Sequence, residues 1–242
     1  MSFFDTILHQ PLVNALVLIY EYVTFQDLGL AIIVLTILIR LILFPLFHKA
    51  TKHQKIVREL QPQVKKLQEQ YKDDREAQAK AVMALYREKE VNPFSSMLIM
   101  LVQLPILFAI YGVFHDGFSD KSFTFLYSFV TPPTELNHTL LGLVDLNKIN
   151  WIIAILAALC QYLQVKLASQ PLSGTPDKNA ERMLKQMSFI APGIMLFALS
   201  TLPAALGLYW LTTSVFSIVQ QIIVNKHLEK DAERKNKPVK AA

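Results

Sequence analysis

The sequence has little of what enzymes and secreted domains usually depend on. It holds one cysteine, Cys160, so no disulfide can form within the chain and no cysteine-rich metal site exists. Seven glycines leave little material for a phosphate-binding loop, and the sequence has no HExxH motif and no paired carboxylates in an apolar run. We therefore expect no enzymatic chemistry, no metal and no cofactor.

Charged residues make up only 18% of the chain, and several long runs have almost none. The sequence is 52% hydrophobic with a mean hydropathy of +0.33, which is too apolar for an ordinary soluble domain. A helix of about 20 apolar residues spans the hydrocarbon layer of a bilayer. Five runs are candidates, at about 28–47, 95–114, 151–168, 187–202 and 205–224. The fourth run is short and contains Pro192, so it could be kinked or only partly embedded.

Arg40 is the exception within the first apolar run. It lies about 4 Å from the midplane of that run, given a rise of ~1.5 Å per helical residue. Insertion scales put the cost of an arginine at that depth at roughly 2.5 to 3.5 kcal/mol. The side chain could lean toward an interface or pair with a carbonyl, but intramembrane charges mostly face a bundle interior or a wet cavity. We favour the cavity.

The distribution of basic residues predicts the orientation of the chain. Lysines and arginines number none in residues 1–27, eleven in 48–94, two in 115–150, three in 169–186 and six from residue 225 onward. Basic loops stay in the cytoplasm. Five crossings therefore place the N-terminus outside and the basic tail, residues 225–242, in the cytoplasm, where its charge also favours contact with anionic membrane lipids.

Residues 1–27 form an extracytoplasmic N-terminus in this prediction. The apolar stretch Leu12–Val23 is short for a span, so we expect an amphipathic helix in the outer interface, with a sixth partial crossing as the alternative. Tyr20, Tyr22 and Phe25 would then be the aromatic residues at the membrane surface.

A segment of different composition, residues 49–90, separates the first two runs. Its apolar residues recur at heptad-like spacing, which predicts one arm of a cytoplasmic helical hairpin: Val57, Leu60, Val64, Leu67 and Tyr71. Asp73 and Asp74 would form the turn. Ala77, Ala81 and Ala84 would provide the packing face of the second arm.

Polar side chains also occur within the other apolar runs. Thr36 lies four residues before Arg40 and shares its helix face. In the fifth run, a polar stripe is formed by Trp210, Thr213, Ser217 and Gln220 or Gln221, with Ser214 beside it. Gln103, Gln161 and Gln164 add amides that are costly against lipid. Each could simply bond across helices, but together they predict the wall of a hydrophilic groove that opens to the inner side.

Several segments resemble, in order, the YidC/Oxa family of membrane protein insertases. They are IIVLTILIRLILFPL (32–46), LQPQVKKLQEQYKDD (60–74), ALYREKEVNPF (84–94), LVQLPILFAIY (101–111) and LGLYWLTTSVFSIVQQ (206–221). The resemblance covers about residues 11 to 229. It suggests a short form, without the first anchoring helix and large periplasmic domain of longer members and without the lipoprotein signal of many others.

The resemblance implies a five-helix core around a groove that is closed outside and open to cytoplasm and lipid, in a bacterial plasma membrane. Arg40 would attract acidic residues of a substrate tail, and the remaining groove residues would keep the groove wet: Thr36, Gln103, Gln161, Gln164, Tyr209, Trp210, Thr213, Ser217 and Gln220. Substrates would be nascent membrane proteins. The hairpin and tail would receive ribosomes, the Sec translocon, or targeting factors such as the signal recognition particle and its receptor.

Two other functions stay open at this stage. A small-solute transporter would also need a polar path, although the sequence has no internal repeat, no acidic coupling residue in a span and no filter motif. A scaffold or folding chaperone that holds clients without inserting them has physical requirements closer to those of an insertase.

Overall fold

The structure is a computed structural model, and it describes residues 5–115, 123–168 and 178–236. A π-helical turn, Asp5–His9, leads into the first α-helix. The α-helices are α1 (Gln10–Tyr22), α2 (Leu28–Ile42), α3 (Phe44–Glu59), α4 (Gln61–Gln70), α5 (Arg75–Glu88), α6 (Ser95–His115), α7 (Trp151–Ala168), α8 (Lys178–Leu199) and α9 (Ala204–Asn236). Two short strands, β1 (Thr139–Leu140) and β2 (Val144–Asp145), pair antiparallel between α6 and α7. The part of the chain that the structure describes is therefore all-α apart from this pair of strands.

The first apolar run is not one straight helix. Asp27 caps α2 by accepting a 2.8 Å hydrogen bond from the amide of Leu30, and α2 ends at Ile42. A break at Leu43 follows, and α3 leaves at an angle of 68° to α2. Pro45 explains the break, because its missing amide is tolerated only in the first turn of a helix. The predicted run 28–47 is therefore divided between two helices.

Among the described residues, three helices are long and apolar enough to cross a membrane, namely α6, α7 and α9, and the bent pair α2/α3 makes up to four. The apolar part of α8, Ser188–Leu199, is shorter. The predicted run 187–202 thus falls in the second half of a longer helix, and the run 205–224 begins a helix that continues to Asn236. The count of five spans stays a prediction.

The largest apolar core joins α1 to α2, α6 and α9. Tyr20 of α1 is fully buried there, and its hydroxyl donates to the carbonyl of Glu135 and accepts from the amide of Asn137. The prediction that Tyr20 lies at the membrane surface is therefore wrong. Tyr22 and Phe25 are 78% and 96% exposed.

The segment after α3 folds back on itself through α4 and α5. Leu60 and Val64 of the predicted heptad are buried together with Leu85, Tyr86 and Val91. Asp74 caps α5 by accepting hydrogen bonds of 3.0 Å from the amides of residues 76 and 77. Of the three alanines predicted to form the packing face of the second arm, Ala77 and Ala81 are half-buried and Ala84 is exposed. Leu85 and Tyr86 of α5 are buried against the first arm as well.

Candidate functional site

A polar cavity lies among α2, α3, α6, α7 and α9. Water-sized molecules could occupy about 320 Å³ of it. Its wall combines two arginines and several amides and hydroxyls with a few apolar side chains: Arg40, Phe47, Thr51, Gln54, Arg58, Ile99, Gln103, Gln161, Gln164, Val165, Ala168, Trp210, Thr213, Ser214, Ser217, Gln220 and Gln221. A polar wall in an otherwise apolar bundle needs either water or a polar guest.

Arg40 is held in this wall by neutral groups. Its side chain is 8% exposed, and one guanidinium nitrogen donates to Oε1 of Gln103 at 3.2 Å. The guanidinium carbon lies 4.7 Å from the centre of the Phe47 ring, a cation–π geometry. Within the described part of the chain, no carboxylate forms an ion pair with Arg40. Its positive charge is thus oriented but not neutralised.

The amide of Gln103 links two helices to Arg40. Its Nε2 donates a 2.6 Å hydrogen bond to the hydroxyl of Tyr209, which is 3% exposed. Because the same amide accepts from Arg40 through Oε1, its orientation is fixed by both partners. The chain Arg40–Gln103–Tyr209 therefore ties α2, α6 and α9 together at the cavity.

Eight of the ten groove residues proposed from the sequence line the cavity. They are Arg40, Gln103, Gln161, Gln164, Trp210, Thr213, Ser217 and Gln220. Tyr209 lies directly behind the wall through its bond to Gln103. The structure does not bring Thr36 to the wall: its hydroxyl donates to the carbonyl of Ile32 at 2.6 Å within α2, and its side chain is 2% exposed. A threonine hydroxyl can bond one turn back in this way, so sharing a helix face with Arg40 was not sufficient.

One side of the cavity was missed by the sequence analysis. Phe47, Thr51, Gln54 and Arg58 of α3 all line it. Their spacing of four, three and four residues puts them on one helix face, and this is the signal that could have found them. The residues beyond 49 were assigned to the hairpin arm, whereas the 68° bend turns this face beneath the cavity.

Two hydroxyl oxygens buried in the wall, Thr213 Oγ1 and Ser214 Oγ, lack a well-formed hydrogen bond within the described residues, although Thr213 lies beside the hydroxyl of Tyr209. A buried hydroxyl that stays unpaired costs about 1–3 kcal/mol. The residues that carry them line the cavity that holds Arg40, but the two oxygens themselves are buried within its wall.

Replacing Gln103 by leucine should destabilise the protein. The change leaves a buried guanidinium N–H and a buried tyrosine hydroxyl without their partner, at a cost of about 1–3 kcal/mol. Gln164→Leu is a matched control, because this glutamine lines the same cavity but makes no hydrogen bond to another described residue. We expect a lower melting temperature in detergent for Gln103→Leu than for Gln164→Leu. Equal temperatures would contradict a structural role for the Arg40–Gln103–Tyr209 chain.

Known proteins are similar to this chain in sequence and in fold. The model of the 60Kd inner membrane protein family matches residues 18–232. The chain is similar to the membrane protein insertase YidC of Pelobacter propionicus, with 34% identity over 91% of this chain and 39% of that protein. It is also similar to YidC of Francisella tularensis subsp. novicida, with 36% identity over 83% of this chain and 33% of that protein.

The fold is also similar to that in a crystal structure of an active YidC insertase with its first transmembrane domain resolved. The TM-score is 0.56 at 26% identity, over 92% of this chain and 46% of that one. The chain thus spans less than half the length of these relatives. Their names, together with the apolar helices, identify a multi-pass protein of the bacterial inner membrane. The resemblance first seen in the sequence motifs is confirmed: this chain belongs to the 60Kd inner membrane protein family, which is the YidC/Oxa family.

Proposed function

We propose that this protein is a membrane protein insertase and chaperone, which helps newly made membrane proteins to enter the bilayer and fold there. The relatives named above are insertases. The observation in this chain that carries the proposal is an arginine without a carboxylate partner in a polar cavity between apolar helices. Such a site can attract an anionic segment and shield its polar backbone from hydrocarbon.

Capture of the client begins with charge in this proposal. Two unit charges 4 Å apart attract each other by about 1 kcal/mol in water and about 4 kcal/mol at an effective dielectric of 20. Arg40 is 8% exposed, so its attraction for a carboxylate lies nearer the value for the lower dielectric. An acidic residue in the short outer tail of a client would therefore be drawn into the cavity, where the glutamine amides of the wall can hydrogen-bond to its backbone.

Release of the client into lipid is driven by its own hydrophobic segment. Each Å² of apolar surface removed from water contributes about 25 cal/mol. The cavity also has apolar wall residues, Ile99 and Val165, on helices long enough to span. The client segment would slide along such surfaces into the bilayer. The cycle needs no bond-breaking chemistry, so we propose a non-enzymatic mechanism.

The orientation and the partners belong to the same proposal. The eleven basic residues between 48 and 94 and the six in the tail favour a cytoplasmic hairpin and C-terminus, with the N-terminus outside. The α4–α5 hairpin and the tail are then placed to meet ribosomes, the signal recognition particle and its receptor, or the Sec translocon. The protein would insert some clients alone and others beside Sec.

Insertion can be tested in liposomes that contain only this protein. A short single-span client is added, and protease protection of its tail measures translocation. We expect protection with the protein and none in empty liposomes. Client binding without protection would contradict insertion by the protein alone and would favour a scaffold. Ion or solute flux without client insertion would favour a transporter.

A further inference from the structure

A second pocket lies on the other side of α3 from the polar cavity described above, which is called the groove below. It has a volume of about 520 Å³ and shares no lining residue with the groove: Leu46, Lys49, Ala50, His53, Arg87, Glu90, Val91, Asn92, Ser95 and Leu98. The pocket is formed where α3, the end of α5 and the start of α6 meet. Residues 46, 49, 50 and 53 share the α3 face that points away from the groove.

The chain reversal after α5 shapes this pocket. Glu90 adopts a left-handed conformation with φ +53°, and its amide donates to the carbonyl of Arg87. The amide of Val91 donates to the carbonyl of Tyr86, which closes the end of the helix. Arg87 is thereby held at the pocket while Val91 enters the hairpin core.

The pocket carries a net positive charge. Lys49 and Arg87 line it, and neither has an ion-pair partner among the described residues. Burial lowers the pKa of His53, and the neighbouring positive charges of Lys49 and Lys52 lower it further, so this imidazole is neutral at physiological pH. Against the two cations stands one carboxylate, Glu90, which leaves a net charge of one.

His53 contributes a hydrogen-bond donor instead of a charge. Its Nδ1 accepts from the amide of Asn92 at 3.3 Å, so the proton of the neutral ring is on Nε2. Two cations and a neutral donor at one pocket suit the oxygens of a phosphate diester.

One side of the pocket is apolar and faces outward along α6. Leu46 and Leu98 line it, and Leu98, Met97 and Leu101 are each at least 40% exposed. The stretch of α6 that is long and apolar enough to span a membrane begins at Met97, so the basic part of the pocket lies at the polar end of this stretch. The pocket is therefore at headgroup level, with an exposed apolar surface running from it into the membrane.

We propose that this pocket binds a membrane phospholipid with an anionic headgroup, the phosphate on Lys49 and Arg87 and an acyl chain along the exposed face of α6. A net charge of one matches the single phosphodiester of phosphatidylglycerol. A free phosphate would use the basic part of the pocket only and would leave the apolar side uncovered. The bound lipid would join α3, the hairpin and α6 at the membrane surface, on the opposite side of α3 from the groove.

The test measures lipid binding directly and does not require client insertion. Native mass spectrometry of the whole protein in detergent counts adducts during titration with dioleoylphosphatidylglycerol or dioleoylphosphatidylcholine. We expect the first phosphatidylglycerol to bind more tightly than phosphatidylcholine. The double variant Lys49→Gln/Arg87→Gln should lose about thirtyfold in that affinity, because each cation near an anionic lipid contributes about 1 kcal/mol.

Two further variants separate this site from general charge effects. Lys72→Gln/Arg75→Gln removes the same charge from exposed residues at the hairpin turn and should bind like the wild type. Lys49→Arg/Arg87→Lys keeps the charge and should also bind like the wild type. The proposal is overturned by an equal loss in the hairpin-turn variant, by a loss in the charge-preserving variant, by no loss in the neutral variant, or by equal binding of the two lipids. Displacement of the lipid by millimolar inorganic phosphate would show a free-phosphate site and would overturn it too.

Discussion

Arg40→Ala should reduce insertion of a client with an acidic outer tail by about fivefold or more. The variant removes an attraction of roughly 1–4 kcal/mol, and 1.4 kcal/mol corresponds to a factor of ten. Arg40→Lys should restore most of the insertion, because the positive charge remains. The restoration should be incomplete, since an ammonium cannot keep both the bond to Gln103 and the contact with the Phe47 ring. Protease protection of the client tail in liposomes gives the measurement.

The charge of the client is the control for this result. A client whose tail carries no acidic residue should be inserted about equally by the wild type and by Arg40→Ala. Arg75→Ala, which removes an exposed arginine at the start of α5, should leave insertion of both clients unchanged. An equal loss for acidic and neutral clients would show that Arg40 acts by shaping the cavity and not by its charge. One insensitive acidic client would leave the comparison incomplete, so several tails of different charge are needed.

The residues of the cavity wall could be predicted from the sequence where a polar side chain lies deep within an apolar run. Arg40, Gln103 and Gln161 all lie in runs where lipid contact would be costly, so an interior wall was the cheaper arrangement. The helical stripe that includes Trp210, Thr213 and Ser217 also lines the cavity, for the same reason. Few environments within an apolar bundle satisfy such polar side chains, so their location could be predicted.

The sequence was less informative where a polar side chain would be equally stable in two different environments. Thr51, Gln54 and Arg58 suit a cytoplasmic helix as well as a wet cavity wall, and only the bend at Leu43 selects the wall. Thr36 could satisfy its hydroxyl within its own helix, so nothing forced it toward the cavity. Tyr20 bonds to backbone more than 110 residues away, a contact that no local pattern predicts.

Gly29→Ala should destabilise the protein, although alanine is the better helix former. A Cβ at this position of α2 would lie 2.8 Å from the Cα of Leu140 and closer still to its side chain. The turn between β1 and β2 is also held to α2, because Asp27, the N-cap residue of α2, accepts a hydrogen bond from the amide of Leu141. A backbone contact of this kind cannot be relieved by a rotamer change. We expect a loss of about 1–3 kcal/mol from overpacking, measured as a lower melting temperature in detergent.

Gly193→Ala is the matched control within the same chain. It lies in α8, and a Cβ there would meet no atom of the described residues within 4 Å. Only the gain in helix propensity remains, worth up to about 1 kcal/mol, so this variant should melt at the same temperature or higher. The two substitutions are chemically identical, so propensity alone would raise both melting temperatures. A lower temperature for Gly29→Ala alone would show that close packing of the β1–β2 turn on α2 outweighs propensity, whereas a rise in both would contradict the packing seen at Leu140.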